Sequence, residues 1–277
     1  MQLYSIHAGN FKLDGGAMFG VVPKSIWNRS NPADENNMCS WAMRCLLIET
    51  EERLILIDNG MGDKQDPKFF GHYYLHGNDT LEKSLAAQGF NSDDITDVFL
   101  THLHFDHCGG SIKKEGDTLV PAFKNAIFWS NQAHFDWATT PNDREKASFL
   151  KENILPIEAS GQLSLIDTPE SHFTSSGLLH KESFIKDIDI RFVHGHTEKM
   201  MLPQISYKGH TIVFMADLLP SVGHLPLPYV MSYDMFPLTT LHEKKSFLLE
   251  AYEKQYVLFF EHDAVHECVK LVQTEKG

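Results

Sequence analysis

The stretch THLHFDHCGG, residues 101–110, crowds three histidines and an aspartate into a short loop. It follows DDITDVFL, whose Val98, Phe99 and Leu100 read as a buried strand, so the cluster is expected at a strand end. In extended backbone, residues two apart point the same way, and His102 and His104 can therefore reach one ion together. A turn at Phe105 would redirect Asp106 and His107 toward a second ion, and Gly109 and Gly110 let the chain turn away without Cβ clashes.

Three further apolar runs end on ligand-type side chains: IRFVHGH at His196, IVFMAD at Asp217 and VLFFEH at His262. Ligands delivered from strand ends are held by packed backbone, which fixes the geometry a catalytic metal needs. His102, His104, Asp106, His107, His196, Asp217 and His262 exceed the four ligands of one tetrahedral zinc, and so predict two metal ions. Two ions about 3.5 to 4 Å apart can share a carboxylate and a hydroxide and stabilise an oxyanion.

The remaining chain is consistent with a soluble α/β protein. MRCLLIETEERLILIDNG reads as a hairpin, Asp79 or Thr80 as a helix cap, and NAIFWS, IDIRFVHGH, MLPQISY and TIVFMAD as strands. Residues 131–156 read as a helix in two pieces broken near Pro141. Thr240 with Glu243 fits a capping box opening a helix whose buried stripe would be Leu241, Leu248 and Tyr252. With no internal repeat and no long linker, residues 1–277 are expected to form a single domain.

A net charge of -13 argues against a nucleic-acid partner, which calls for a basic surface. The amino terminus lacks a secretory pattern and no long apolar run suggests a membrane partner, so cytoplasm is the default location. Four scattered cysteines make no disulfide framework or CxxC pair, and Cys108 reads as a small buried filler. Of sixteen histidines, His7, His72, His76, His134, His172, His180, His210, His242 and His266 carry no motif and read as surface or ordinary core residues.

The HxHxDH motif at His102, His104, Asp106 and His107, followed in order by the GHT of His196, by Asp217 and by the EHD of His262, resembles the metallo-β-lactamase superfamily. The resemblance implies a four-layer αββα sandwich. It assigns His102, His104 and His196 to one ion and Asp106, His107 and His262 to the other, with Asp217 bridging and Asp58 orienting ligands from behind them. It implies a bridging hydroxide that attacks a carbonyl or phosphoryl centre, with Asp106 passing a proton to the leaving oxygen. Zinc is the first choice of metal; iron, manganese and cobalt also suit these donors.

Within that superfamily the chain looks most like the branch of N-acyl-homoserine lactonases and methyl-parathion-hydrolase-like enzymes, which points to a lactone or ester with an apolar acyl or aryl group. Phe19, Phe105, Trp137, His224, Tyr229 and Tyr233 are the candidate substrate contacts, with Trp27 another pocket aromatic. The tyrosine that such lactonases carry shortly after the bridging aspartate is replaced here by Leu218, Leu219 and Pro220. This keeps phosphotriesters and aryl esters as the alternative, ahead of a metal-dependent oxidoreductase. The resemblance also leaves room for a homodimer.

Overall fold

The computed structural model describes residues 1–274. Its chain forms two compact units, one of Met1–Lys12 with Trp41–Thr168, the other of Leu13–Ser40 with the chain from Pro169 onward.

The sheet of the first unit uses β1 (Gln2–Asp14), β2 (Met38–Glu49), β3 (Leu54–Ile57) and β4 (Asp97–Phe99). After a small hairpin of β5 (Ile112–Glu115) and β6 (Thr118–Pro121), it is completed by β7 (Ile127–Asn131) and β8 (Leu163–Ile166), in the order β1-β2-β3-β4-β7-β8. The expected hairpin is β2 antiparallel to β3, whereas β3, β4, β7 and β8 run parallel. Parallel strands need crossovers, and one is the Leu81–Ala87 helix, where the Thr80 side chain accepts from the Lys83 N–H. Leu56, Val98, Leu100 and Phe128 are fully buried in the core of this unit. Each such side chain contributes about 1.5 to 3 kcal/mol by leaving water.

The second unit's sheet comprises β9 (Lys181–Ile185), β10 (Ile188–Val193), β11 (Met200–Tyr207), β12 (His210–Phe214), β13 (Val257–Phe259) and β14 (Cys268–Lys270), ordered β14-β13-β12-β11-β10-β9. β11 is antiparallel to both β10 and β12, and β12 is parallel to β13. Strands β10, β12 and β13 therefore point the same way and end at one edge of the sheet. His196, Asp217 and His262 each lie three residues beyond the ends of those strands, and His102 lies three beyond β4.

Two local expectations are corrected. The helix at residues 237–253 starts earlier than the capping box, with Phe236 as N-cap and Pro237 in its first turn; Thr240 is already inside it and Glu243 caps another segment. Its buried face is Thr240, Glu243, Lys244, Phe247, Glu250 and Ala251 rather than the apolar stripe, and Tyr252 is exposed. The charged side chains Glu243, Lys244 and Glu250 can face inward here because each finds partners. The expected break near Pro141 appears as two helices, Gln132–Thr139 and Lys151–Ala159, the second continuing past Pro156. No described helix is long and apolar enough to cross a membrane.

Glu250 illustrates the partnering: its carboxylate accepts from Arg191 Nη1 at 2.7 Å, Arg191 Nη2 at 2.8 Å and the Tyr256 hydroxyl at 2.9 Å. Burial alone would raise the Glu250 carboxyl, but Arg191, Lys254 and Tyr256 outweigh it and hold it at about 2, against an ordinary 4.5. The stability this pair contributes is thus present above about pH 4.5 and lost as pH falls toward 2. Arg191→Met removes the bidentate partner of a buried carboxylate and leaves it only Lys254 and Tyr256, and is expected to destabilise the protein by about 2 to 4 kcal/mol in denaturant melts at neutral pH, with the deficit narrowing below pH 4.5 as Glu250 takes up a proton.

Candidate metal centre

In the first unit the metal-type side chains are set by a carboxylate behind them. Asp58 directly follows β3, with a left-handed φ of 54°, and is fully buried. Its Oδ1 accepts from the Thr101 N–H at 2.8 Å, and its Oδ2 accepts from the Thr101 hydroxyl at 2.6 Å and stands 3.1 Å from His107 Nδ1. His107 therefore carries its proton on Nδ1 and presents the Nε2 lone pair. The Thr101 hydroxyl hydrogen is committed to Asp58, so its oxygen accepts from His102 Nδ1 at 3.1 Å, and His102 likewise presents Nε2. Glu145, 2% exposed, sits 3.0 Å from His104 Nε2 and places the proton there, leaving the lone pair on Nδ1.

His102 Nε2 and His104 Nδ1 lie 3.1 Å apart. Two imidazole lone pairs at that separation repel each other unless a cation sits between them, whereas the spacing is ordinary for two ligands of one ion. Asp106 Oδ2 is 3.9 Å from His107 Nε2, so these two can likewise share an ion. All four side chains are buried, as a stringent donor geometry requires.

The loop is braced from below. Asn59 N–H donates to the His107 carbonyl at 2.9 Å, Gly110 N–H to the Gly60 carbonyl at 3.0 Å, and the buried Lys64 ammonium to the Gly109 carbonyl. A Cβ on Gly109 would stand 2.1 Å from the Met61 carbonyl oxygen, so no larger residue fits there. His134, placed among the motif-free histidines above, is buried and accepts the Leu103 N–H on Nε2 at 2.9 Å. Cys108 is a fully buried filler whose thiol is pushed up to about 12, chiefly by burial.

In the second unit Asp217 presents one oxygen to each of two histidines: Oδ2 lies 3.1 Å from His196 Nε2 and Oδ1 lies 3.1 Å from His262 Nε2. Asp234, 1% exposed, takes the other His196 nitrogen, Nδ1, at 2.9 Å. Burial would lower the His196 pKa, but Asp217 and Asp234 outweigh it and push it to about 10. The surroundings thus favour a positive charge at this place, whether a proton or a metal cation. Glu243 fixes the HGH turn by accepting the N–H groups of His194 at 2.7 Å and Gly195 at 3.0 Å, and a Cβ on Gly195 would collide with Thr240.

The candidate substrate contacts fall into different settings. Phe19 is fully buried between Trp27, centroids 5.2 Å apart, and His224, 4.5 Å apart, all three rings nearly parallel. His224 donates from Nε2 to the Met18 carbonyl and pairs with the Ser221 hydroxyl through Nδ1, both at 2.9 Å, and burial lowers its pKa to about 4. This ring is a neutral structural bracket. Trp137 donates to Glu145 at 2.6 Å, which links it to His104. Tyr229 is half-buried and Tyr233 is exposed. Phe105 belongs to an aromatic group with Phe69 at 5.3 Å and Tyr73 at 4.7 Å, neither singled out in the sequence.

The family model for the metallo-beta-lactamase superfamily matches residues 44–262. The chain belongs to this superfamily. An N-acyl homoserine lactonase from Bacillus cereus is 28% identical over 165 residues, an alignment that spans 56% of this chain and 56% of that protein, so the chain matches only about half the length of this curated relative. A crystal structure of a probable metal-dependent hydrolase from Staphylococcus aureus is 28% identical, with a TM-score of 0.86 over 97% of this chain and 91% of that one. AidC, a dizinc quorum-quenching lactonase in complex with a product, is 22% identical, with a TM-score of 0.78 over 99% and 92% of the two chains. The chain has the metallo-β-lactamase fold, and its homologues and structural neighbours include metal-dependent hydrolases.

Asp58→Asn puts an amide donor against N–H and O–H donors that now meet a carboxylate. It is expected to weaken metal retention about 10- to 100-fold in a chelator competition, with secondary structure unchanged by circular dichroism.

Proposed function

We propose that the chain is a dinuclear metal-dependent hydrolase that opens a lactone or ester, with N-acyl-homoserine lactones as the first substrate class. The observation that carries this reading is Asp217, which offers one carboxylate oxygen beside His196 and the other beside His262, as a bridge between two ions must. In this assignment His102, His104 and His196 hold one ion, Asp106, His107 and His262 hold the other, and Asp217 serves both. The two units then act as one metallo-β-lactamase domain. Nitrogen and carboxylate donors with no thiolate suit zinc first, and also iron, manganese or cobalt.

Divalent ions bound there supply Lewis acidity and lower the pKa of water toward neutrality. The chain's residues do the rest. Asp58, Glu145 and Asp234 keep the imidazole protons on the nitrogens that face away from the ions. Asp106, 8% exposed and set on the turn beside His107, moves a proton to the leaving oxygen. Phe69, Tyr73 and Phe105 form an apolar wall joined to the metal loop through Phe105, suited to an acyl or aryl group. Burial and the nearby Asp106 push Tyr73 up to about 12, so its hydroxyl stays protonated and can donate to a substrate oxygen.

A lactonase of Bacillus cereus among the relatives and AidC among the structural neighbours support the lactone reading. Phosphotriesters and aryl esters are the second reading, favoured by buried Leu218 and Leu219 immediately after Asp217, where no hydroxyl is offered.

Elemental analysis of the purified protein is expected to give close to two metal ions per chain. Asp217→Ala is expected to lose both metal and turnover; a folded, fully metallated variant would contradict the bridging role. Medium- and long-chain acyl-homoserine lactones, assayed beside aryl esters and paraoxon-like triesters, should be the preferred substrates. Turnover of the triesters alone would remove the lactonase reading.

A further inference from the structure

Lys244 is fully buried in the middle of the Pro237–Glu253 helix, yet among the described residues its ammonium has main-chain carbonyls alone as hydrogen-bond partners. Nζ donates to His224 O at 2.7 Å, Tyr229 O at 2.8 Å and Pro226 O at 3.1 Å, with Leu227 O at 3.4 Å. An ammonium has three N–H donors, so the three short bonds use all of them and Leu227 shares one. Burial lowers the Lys244 pKa to about 8, outweighing the Asp234 carboxylate that raises it, so with no carboxylate hydrogen-bonded to it the buried ammonium is unfavourable for stability. An apolar side chain would fill the same space at lower cost. What the ammonium contributes is geometric: it gathers carbonyls that helix and sheet do not use.

The gathered segment needs such a centre. Pro226 and Pro228 lack N–H groups, and the segment forms no strand; its internal bonds are limited to short turns such as Tyr229 N–H to Pro226 O at 3.0 Å. It is also tied to the segment around Phe19, through His224 on the Met18 carbonyl, Ser232 N–H on the Ala17 carbonyl at 2.8 Å, and Val230 O, which leaves no room for a Cβ on Gly20. The loop that Lys244 gathers starts just after Asp217 and ends at Asp234, the partner of His196. Along it stand half-buried Tyr229 and exposed Tyr233.

We propose that Lys244 is a positioning residue that fixes the 222–233 loop and thereby sets which acyl or aryl group the enzyme accepts. The specificity part rests on the proposed hydrolase reading; the positioning part does not. Losing the ammonium frees carbonyls of one loop and leaves the sheet bonded, so the effect is local.

The test uses the full-length, metal-loaded protein with Lys244→Met, and with Lys244→Ala as a second variant. Hydrogen exchange read by mass spectrometry is expected to rise about tenfold or more in peptides covering residues 222–233 of Lys244→Met, with β10 to β12 unchanged. Metal content should stay at the wild-type value. The ratio of kcat/KM for long-chain over short-chain substrates should shift severalfold, carried mainly by KM. In Lys244→Ala, methylammonium should restore slow exchange in the loop and tetramethylammonium should not. Unchanged exchange in the loop, or an equal rise throughout the helix and strands, overturns the positioning role. A local rise in exchange with an unaltered substrate ratio overturns the specificity role. If the wild-type protein turns over none of the panel, the hydrolase reading falls and takes the specificity role with it, while the exchange experiment still decides the positioning role.

Discussion

An imidazole can bind a metal only through a nitrogen that has no proton, and the arrangement of this chain depends on where those protons are put. Asp58, Glu145 and Asp234 each sit behind a histidine and hold a proton on the far nitrogen. The consequence is visible at His102 and His104, whose inward nitrogens approach to 3.1 Å, a separation that suits two ligands and no stable pair of bare lone pairs. Asp58 is the most heavily used of the three, because through Thr101 it also fixes His102. It holds a left-handed φ at a strand end to do so, and a non-glycine residue in that conformation persists only where surrounding bonds enforce it.

The second dependence is on the helix at Pro237–Glu253, whose inner face is built from polar groups. Glu243 fixes the turn that presents His196, Lys244 gathers the loop after Asp217, and Glu250 anchors the helix to β10 through Arg191. Each carries a desolvation cost that an apolar residue would avoid, so the helix stabilises the unit less than an apolar stripe of equal area would. What it gains is position. Two connections that lack ladder hydrogen bonds, the turn at residues 194–195 and the loop after Asp217, are each held by one side chain of the helix, and a third side chain ties the helix itself to β10.

That division explains what could be read in advance. The seven metal-type residues could be proposed from the sequence because both their chemistry and their placement, just past apolar runs, are written locally in the chain. β4, β10, β12 and β13 stop three residues before His102, His196, Asp217 and His262, so the eye that finds the strand finds the ligand. Glu145, Asp234, Glu243 and Lys244 gave no such signal: an acid or a lysine in a loop or helix looks solvated until its partner is known. Thr240 and Glu243 matched a capping box, but Pro237 starts the helix a turn earlier and Glu243 serves the turn at residues 194–195 instead. Phe69 and Tyr73 were overlooked because a seven-residue helix with no buried residue carries no hydrophobic period. For His134, the partner is a backbone N–H 31 residues away in the chain, which no local pattern shows.

The charge of the chain bears on what such a centre can release. Lactones, carboxyl esters and phosphotriesters are neutral, whereas their hydrolysis products are anions, so a strongly positive site would retain product. With two divalent ions bound as proposed, their four positive charges are met by the ligand carboxylates of Asp106 and Asp217 and by the buried carboxylates of Asp58, Glu145 and Asp234 behind the histidines. The surplus that would trap an anion is thereby removed locally. The net charge of -13 acts in the same direction but only weakly, since surface charges are screened beyond about 8 Å at physiological ionic strength. Under the proposed hydrolase reading, the carboxylates that fix the imidazole protons would therefore have a second consequence: they would offset the charge of the ions that activate water and so weaken retention of an anionic product.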